Sequence, residues 1–272
     1  MKKVAFIGAG NMNRAILIGL VNNGYDAKAV IVSNPSPEKR EALANDFGVN
    51  QTPSNIEAAN QADVIVLGVK PHFIKAVCKE IADNMDITSK CFISVAAGVS
   101  IAQIQSVLGN NANIIRCMPN TPSQLGLGMS GMLAAQNVAQ SDIDFADSLL
   151  KSVGKVQWLA NEDEMDNLIT VSGSGPAYFF AFMEAMQKQA LAFGFSEQTA
   201  RELVQQTALG AAQMVVQNNE SIATLRENVT SKGGTTYAAL SVLAQNNLDQ
   251  IVSEAMQACK ARAIEMTEAN DS

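Results

Sequence analysis

The sequence predicts an α/β protein in which a doubly wound parallel sheet is followed by an all-helical second part. Short β-branched runs alternate with helical patterns up to about residue 160, as in sheets whose parallel strands are joined by right-handed crossovers. Two glycines follow the first run directly. Beyond about residue 162, Ala, Met, Gln, Leu and Glu predominate, with apolar residues three and four apart, which is the helical period. The 272 residues are therefore predicted to form two domains, residues 1–160 and 161–272.

The overall composition excludes several classes of protein. Hydrophobic residues make up 47% of the chain and charged residues 17%, which is typical of a globular protein with a sizeable core. A net charge of −7 offers no positive surface for nucleic acid or an anionic membrane. No stretch has the roughly 20 continuous apolar residues that a membrane-spanning helix needs. We therefore expect a cytoplasmic protein that binds neither nucleic acid nor a membrane.

Histidine and cysteine usage argues against a metal site. His72 is the only histidine, and the four cysteines are scattered along the chain, which fits neither a zinc cluster nor a disulfide framework. We predict reduced thiols and no bound metal.

The first part of the chain contains seven predicted strands and six predicted helices. The strands are residues 4–7, 29–33, 64–69, 92–96, 114–117, 129–133 and 155–159, and the helices are residues 12–22, 37–47, 55–61, 74–85, 101–108 and 141–152. The continuous apolar run at residues 64–67 indicates a strand that is buried on both faces.

The second part is predicted to be helical throughout. Its helices are residues 162–193, 196–218, 222–228, 235–245 and 248–269. Strong helix formers at helical spacing carry each of these predictions.

The turn after the first strand has the pattern of a dinucleotide-binding site. Gly8 permits a tight turn, and Gly10 lets a pyrophosphate approach the backbone N–H groups that open the following helix. The third position of this fingerprint is Asn13 instead of Gly or Ala. The location between a strand and a helix nevertheless favours a Rossmann-type domain over an ordinary glycine-rich turn.

The end of the second strand indicates which dinucleotide is bound. An acidic residue there selects NAD by accepting a hydrogen bond from the ribose 2′-hydroxyl. Here Ser33 and Asn34 are neutral, and Lys39 and Arg40 follow within a turn. NADPH is therefore the preferred cofactor, with NADH possible, although the two cations would also suit a merely solvated helix face.

Two further strand ends point to the same crevice. Gly68 to Pro71 and Ala96 to Val99 are rich in small residues, which allow the backbone to approach the nicotinamide and its ribose. Lys70 would also fit as a surface residue, and His72 as the polar start of the next helix.

Small residues also interrupt the long helical pattern that begins at residue 162. Gly173, Gly175 and Pro176 lie inside it, and glycine and proline are unfavourable there by about 1 and 3 kcal/mol relative to alanine. Either a kink or close helix crossing, or a helix surface pressed against a ligand, would explain them.

The segment between the helices at 222–228 and 235–245 could receive a carboxylate. It runs from Asn228 through Ser231, Lys232, Gly233 and Gly234 to the two threonines, and it offers backbone N–H groups, hydroxyls and an ammonium. An ordinary helix N-cap after a flexible turn explains the same spacing equally well.

Taken together, these motifs resemble the pyrroline-5-carboxylate reductase family over essentially the whole chain. Their combination is more specific than any of them alone. The residues are Phe6-Ile7-Gly8-Ala9-Gly10-Asn11-Met12, Val69-Lys70-Pro71, Ala96-Ala97-Gly98, Met118-Pro119-Asn120-Thr121-Pro122, Met165-Asp166, Val171-Ser172-Gly173-Ser174-Gly175-Pro176-Ala177-Tyr178 and Ser231-Lys232-Gly233-Gly234-Thr235-Thr236.

The resemblance implies the fold, the reaction and the assembly. Members of this family reduce the cyclic imine 1-pyrroline-5-carboxylate to L-proline with NAD(P)H, which is the last step of proline synthesis. A Rossmann domain is followed by a helical domain that interlocks with its partner's to form a homodimer, and some dimers assemble into a decamer. Substrate and cofactor can then be bound by different subunits.

The resemblance also implies roles for individual residues. Pyrophosphate would lie at Ile7, Gly8, Ala9, Gly10, Asn11 and Met12, the adenosine ribose at Ser33 and Asn34, the adenine side at Asn55, and the nicotinamide half at Val69, Lys70, Pro71, Ala97 and Gly98. The substrate would lie at Ser231, Gly233, Gly234, Thr235 and Thr236, with Glu162 on the substrate side and Asn228 on the cofactor side.

Two departures from the family pattern bear on the substrate loop. Lys232 stands where the family usually has proline, and Ser221-Ile222-Ala223 stands where it often has His-Pro-Gly. Losing proline gives the unfolded loop more freedom, whereas the added charge favours a carboxylate.

Imine reduction requires a hydride on carbon and a proton on nitrogen, and an iminium is already electrophilic. Orientation is therefore the main requirement. Our hypothesis is that Thr236 is the catalytic residue, hydrogen-bonding the ring nitrogen, while N–H groups of the Gly233-Gly234 turn bind the carboxylate. Two alternatives remain: another imine or hydroxyacid reductase on this architecture, and a non-catalytic protein that senses NADP.

Overall fold

The computed structural model describes residues 1–270, which divide into two compact units. The front unit is Met1–Ser174 together with the end of the chain from Cys259 onward, and the back unit is Gly175–Ala258. The predicted boundary at residue 160, between a cofactor-binding domain and a helical domain that binds substrate and partner, stays a prediction.

The front unit contains an eight-stranded sheet. Its strands are β1 Val4–Ile7, β2 Val30–Ser33, β3 Asn50–Thr52, β4 Val64–Leu67, β5 Cys91–Ser94, β6 Asn113–Met118, β7 Gly128–Ala134 and β8 Gly154–Trp158. The strand order is β3-β2-β1-β4-β5-β6-β7-β8. Every residue of β1, β2, β4 and β5 is buried, because helices cover both faces of a doubly wound sheet. The predicted fold class is confirmed.

Two features of the sheet differ from the prediction. Strands β6 and β7 are antiparallel, with Ile115 opposite Ala134, because only a loop and the 3₁₀ turn Thr121–Leu125 connect them, which is too short for a parallel crossover. Strand β3 was not predicted, since Asn50 and Gln51 are polar and exposed. It pairs with β2 through backbone bonds at the edge of the sheet.

Six of the seven helices in the front unit follow the predicted alternation, and the seventh begins the segment predicted as helical from residue 162. The seven are α1 Asn11–Asn22, α2 Pro37–Phe47, α3 Asn55–Asn60, α4 Ile74–Asn84, α5 Ile101–Leu108, α6 Gln140–Lys151 and α7 Glu162–Leu168. Local signals set their ends. The Ser54 side chain caps α3, and α2 starts at Pro37 and ends before Gly48, whose φ is +71°.

The single helix predicted over residues 162–193 is wrong, because the chain changes its helical period in the middle. A π-helical turn, Ile169–Gly173, follows α7, and the N–H of Ser174 donates to the Ile169 carbonyl at 2.9 Å. A new helix, α8 Gly175–Ala192, begins next. Pro176 therefore lies in a first helical turn, where its missing N–H costs nothing. The small residues thus accompany a break in the helix, and contact of this segment with a ligand stays a prediction.

The back unit contains α8, α9 Glu197–Gln217, α10 Ile222–Asn228, α11 Thr235–Gln245 and the first part of α12 Leu248–Ala269. Side chains of Ser196 and Ser221 cap α9 and α10. Few apolar side chains of this unit are buried, and many are exposed, among them Phe179, Phe180, Phe182, Phe193, Val216 and Ile222. Within residues 1–270, none of the helices has both the length and the hydropathy to cross a membrane.

Candidate active site

The glycine turn after β1 forms an open cradle at the start of α1. Gly8 has φ +94°, and a Cβ there would lie 2.9 Å from the Gly68 carbonyl oxygen, so only glycine fits. A Cβ at Gly10 would make only an ordinary contact at 3.6 Å. It would instead fill the space in front of α1, whose first N–H groups have no side-chain cap. That space and those N–H groups suit a pyrophosphate.

Asn13 replaces the small third residue of the fingerprint in a way the structure explains. Its side chain is buried, and Nδ2 donates to the carbonyl oxygens of Ile7 at 3.1 Å and Gly8 at 2.8 Å. A Cβ at Gly68 would overlap the Asn13 side chain. Asn13 therefore fixes the end of β1, and Gly68 supplies the room it needs.

The residues predicted for the adenosine side lie beside this cradle. The Ser33 hydroxyl and the Asn55 amide oxygen are 2.8 Å apart, and the N–H of Ala9 donates to Oδ1 of Asn34 at 3.1 Å. These contacts join the end of β2 to the glycine turn and to α3. Residues 33–36 at the end of β2 include no acidic residue, and the nearest carboxylate bonded to this group is that of Glu80, which accepts from Nδ2 of Asn55 at 3.1 Å.

The two cations near this pocket have different environments. Arg40 donates from Nε to Gln51 at 2.7 Å and from a terminal nitrogen to the carbonyls of Asn34 at 3.0 Å and Pro35 at 3.2 Å. It therefore braces the loop that follows β2. Lys39 is exposed and has no hydrogen bond or ion pair within the described residues. Of the two, Lys39 is the one available to a 2′-phosphate.

The segments predicted for the nicotinamide half follow neighbouring strands. Val69, Lys70 and Pro71 come after β4, and Ala97 and Gly98 after β5, which pairs with β4. Lys70 precedes the 3₁₀ turn Pro71–Phe73, which contains His72 and leads into α4. These strands are neighbours of β1 and β2 in the sheet, so the predicted cofactor residues up to Gly98 follow the carboxyl ends of adjacent strands, and a common crevice stays a prediction.

Glu162 occupies the first position of α7 and is bonded to protein groups. One carboxylate oxygen accepts from the N–H of Ile101 at 3.0 Å, at the start of α5, and the other pairs with the buried guanidinium of Arg116 in β6. Burial raises the pKa of the neighbouring Asp166 carboxyl; the Arg116 charge opposes this and the Glu162 charge adds to it. Both Glu162 oxygens therefore stabilise the front unit, and its contact with substrate stays a prediction.

The predicted substrate loop forms a defined turn in the back unit. The N–H of Gly234 donates to the Ser231 carbonyl at 3.0 Å, and Gly233 has φ +73°. Lys232 occupies the second position of this turn, where proline is favoured. The turn therefore forms here without a proline. Because the Gly234 N–H is used inside the turn, the Gly233-Gly234 pair does not supply two free amides.

The first backbone N–H groups of α11 are the ones available to bind an anion. Gly234 precedes the helix without a side-chain cap, so the N–H groups of Thr235 and Thr236 have no acceptor within the described residues. Both threonine side chains are exposed in the single chain. Asn228 lies at the end of α10, with Nδ2 bonded to Glu220 at 3.1 Å.

The structure distributes the predicted site between the two units. Glu162 and all predicted cofactor residues except Asn228 belong to the front unit, whereas Asn228, Ser231 and residues 233–236 belong to the back unit. That they face a common cavity stays a prediction.

Sequence reasoning did not assign a role to Asn120, which follows β6. Its Nδ2 donates to the Ser172 carbonyl in the π-helical turn at 2.9 Å, and its Oδ1 accepts from the N–H of Met129 at 2.9 Å. The run from Met118 to Pro122 was noted as a motif, and this buried amide joins its loop to the interrupted helix.

The cysteines provide no nucleophile in the front unit's core. Cys78, Cys91 and Cys117 are buried free thiols. Burial raises the pKa of Cys78 and of Cys91 to about 12 and also raises the pKa of Cys117. They stay protonated near neutral pH, so none is a reactive thiolate.

A doubly wound sheet with this glycine cradle, joined to a helical unit with an uncapped turn, defines a dinucleotide-dependent oxidoreductase. A family model described as "NADP oxidoreductase coenzyme F420-dependent" matches residues 3–98, and one described as "Pyrroline-5-carboxylate reductase dimerisation" matches residues 162–266. The pyrroline-5-carboxylate reductase of Vibrio alginolyticus is 53% identical over 266 residues, 97% of each chain. The chain belongs to the pyrroline-5-carboxylate reductase family, and the resemblance read from the motifs is confirmed.

Other relatives agree over the full length. The Haemophilus influenzae protein of the same name is 45% identical, covering 97% of each chain. A pyrroline-5-carboxylate reductase structure from Coxiella burnetii matches with a TM-score of 0.93 and 42% identity over 98% of each chain. A Plasmodium falciparum pyrroline carboxylate reductase, solved with NADP bound, matches with a TM-score of 0.87 and 29% identity over 98% of each chain.

Proposed function

We propose that this protein catalyses the NADPH-dependent reduction of 1-pyrroline-5-carboxylate to L-proline, the last step of proline synthesis, in the cytoplasm. Membership of the family supports the reaction, as do the names of the relatives. From the geometry, the proposal depends most on the uncapped start of α11 behind the Ser231–Gly234 turn. Two free amides, two hydroxyls and a nearby lysine there suit a small carboxylate.

The cofactor cradle fits NADPH on two observations. The space at Gly10 lies open in front of α1, and no acidic side chain stands at the end of β2. Residues 7–12 would hold the pyrophosphate, Ser33, Asn34 and Asn55 the adenosine half, and residues 69–71 with 97–98 the nicotinamide half. When bound, the dihydronicotinamide supplies the hydride. Lys39 near the ribose favours NADPH, while NADH lacks only the phosphate that Lys39 would contact.

The protein's own contribution to the reaction is mainly orientation. As hydride adds to the imine carbon, the C=N electron pair moves to nitrogen, which requires a proton. The Thr236 hydroxyl would hydrogen-bond this nitrogen, and the N–H groups of Thr235 and Thr236 would hold the carboxylate. Holding both reactants in an aligned pose removes much of the entropic barrier.

The proposed enzyme works as a homodimer through its helical part, with a decamer as a possible larger assembly. Exposed phenylalanines of the back unit support a partner surface, as does the family's dimerisation model. Substrate and cofactor would then be held by different subunits. Light scattering measures which assembly is present.

Initial rates of NADPH and NADH oxidation with 1-pyrroline-5-carboxylate test this function directly. We expect both cofactors to react, with NADPH faster. If NADH is clearly faster, the cofactor assignment is wrong. Tight NADPH binding without oxidation by any imine would favour a cofactor-sensing protein. Reduction of a 2-keto acid to its hydroxyacid faster than reduction of the imine would favour a different reductase.

Replacing Thr236 tests its assigned role. Thr236→Ala should lower kcat by about 10²–10⁴-fold if the hydroxyl assists proton transfer, and Thr236→Ser should retain most of the activity. Thr199→Ala is the matched control, because Thr199 also lies in a first helical turn, that of α9, where its hydroxyl contacts only Ser196. Unchanged kcat and KM in Thr236→Ala would exclude this role.

A further inference from the structure

The turn between β5 and α5, residues 96–100, is bonded to the last turn of the C-terminal helix. Nδ2 of Asn270 donates to the Gly98 carbonyl at 2.8 Å and to the Met266 carbonyl at 2.9 Å. One amide group thus caps the end of α12 and also holds the turn. These residues all belong to the front unit.

Gln103 makes a second tie between the same two segments. Its Oε1 accepts from the N–H of Ser100 at 2.8 Å, and its Nε2 donates to the Thr267 carbonyl at 2.6 Å. With the Ser100 hydroxyl it forms a capping box at the start of α5. Glutamate would serve such a box equally well, but only glutamine can also donate to Thr267. Gln103 is buried, so this second bond is partly shielded from water.

Gly98 allows α12 to lie directly against the turn. Its φ is +68°, and an added Cβ would be only 3.3 Å from Cβ of Met266 and 3.4 Å from Nδ2 of Asn270. A hollow of about 280 Å³ beside this contact is lined by Pro71, His72, Lys75, Val99, Ala269 and Asn270. Ala269 and Asn270 therefore lie beside both segments assigned to the nicotinamide half.

We propose that Asn270 and Gln103 are positioning residues that hold the Ala97-Gly98 turn in the shape that receives the nicotinamide half of the cofactor. This inference rests on the proposed function, in that this turn is assigned to the nicotinamide. A glycine-centred turn without these ties would sample other conformations. Cofactor binding would then have to order it, which lowers affinity.

Two variants remove these hydrogen bonds without creating a cavity. Asn270→Asp replaces the donating NH₂ with an oxygen that faces the Gly98 and Met266 carbonyls. Gln103→Glu keeps the capping box and removes only the donor to Thr267. We expect each to raise the dissociation constant for NADPH about three- to tenfold, the effect of losing the one hydrogen bond that each side chain makes between α12 and residues 98–103; the bond from Asn270 to Met266 is local to the end of α12.

A second ligand distinguishes a specific effect on the Ala97-Gly98 turn from general damage to the cofactor site. The probe is 2′-phospho-ADP, which has the adenosine half and the pyrophosphate but neither the nicotinamide nor its ribose. Its dissociation constant should stay within about twofold in both variants, because the turn would contact only the missing half. Equal weakening of both ligands would mean general damage and would overturn the inference, as would unchanged NADPH affinity in both variants.

Asn218→Asp is the matched control. Asn218 ends α9 with the same local bond, from Nδ2 to the Met214 carbonyl at 2.7 Å, and within residues 1–270 its side chain makes no hydrogen bond to another element. It should change neither affinity, and an effect as large as that of Asn270→Asp would overturn the inference. Thermal unfolding of each variant verifies that binding is measured on folded protein; should Asn270→Asp not fold, Gln103→Glu decides.

The binding measurements contain no imine, so they are independent of turnover. If the wild type binds NADPH but does not reduce 1-pyrroline-5-carboxylate, the proposed function fails, and the inference is still judged by the two ligands. If turnover is observed, KM for NADPH should rise in both variants while KM for the imine stays within about twofold. A rise confined to the imine KM would overturn the inference.

Discussion

Asn13 and Gly68 form a matched pair at the cofactor cradle. The buried Asn13 amide donates to two carbonyls at the end of β1, and its side chain fills the space where any Cβ at position 68 would lie. A small residue at position 13 would leave those two carbonyls without this donor. The departure from the glycine fingerprint is therefore compensated by Gly68, which directly follows the adjacent strand β4.

This pairing predicts a coupled effect of two substitutions. Gly68→Ala should lower the free energy of unfolding by about 1–3 kcal/mol through overpacking. In an Asn13→Ala background the same change should cost much less, because the obstructing side chain is gone, giving a coupling of about 1 kcal/mol or more. Urea denaturation of the wild type, both single variants and the double variant measures it. Strictly additive values would contradict the pairing.

At the scale of elements, Glu162 connects three parts of the front unit. From the first turn of α7 it caps α5 through the Ile101 N–H and neutralises Arg116 in β6. Arg116 is 1% exposed, and a buried guanidinium without a counter-charge is costly. The start of α7 is thus held by electrostatics as well as by packing.

Glu162→Gln tests this connection. The amide oxygen can still accept from Ile101, but the charge opposite Arg116 is lost. The free energy of unfolding should therefore fall by about 1–3 kcal/mol, which is less than for a fully buried pair because Glu162 is partly exposed to solvent. Urea denaturation at low and high salt measures the loss. If Glu162 also contacts substrate, KM for the imine should rise while the NADPH dissociation constant stays constant. Unchanged stability would contradict the structural role.

On the scale of the whole molecule, the back unit has too little core of its own. Its buried apolar side chains among the described residues are Ala200, Val204 and Leu225, whereas Phe179 is 71% and Phe180 63% exposed. Exposed apolar area of this kind is typical of a surface that pairs with another chain. The dimerisation family model covers these helices, so a second copy is the expected cover.

Association should therefore stabilise the fold. The melting temperature should rise with protein concentration, and Phe180→Asp should raise the dimer dissociation constant at least about tenfold, because a carboxylate is costly to bury. Lys188→Gln is the control on the same helix, since Lys188 is exposed and pairs only with Glu184. Analytical ultracentrifugation over a dilution series measures both. A monomeric wild type at all concentrations would contradict the expectation.

Local chemistry was sufficient for much of the fold and for the family. The bounds of α10, α11 and α12 match the prediction, because serine caps, glycine turns and helical spacing act over a few residues. Seven of the eight strands were identified from apolar runs. The glycine cradle and the Ser231–Thr236 motif identified the family, since both depend on residues adjacent in sequence.

Tertiary structure alone decided the features that join distant residues. The polar edge strand β3 forms only because β2 is beside it, and the antiparallel β6–β7 pair follows from how the chain returns across the sheet. The Asn270–Gly98 bond joins residues 172 positions apart, and the Asn13–Gly68 fit depends on the start of α1 lying beside the end of β4. No local pattern encodes such contacts, because they require the folded chain to bring the partners within a few ångströms of each other.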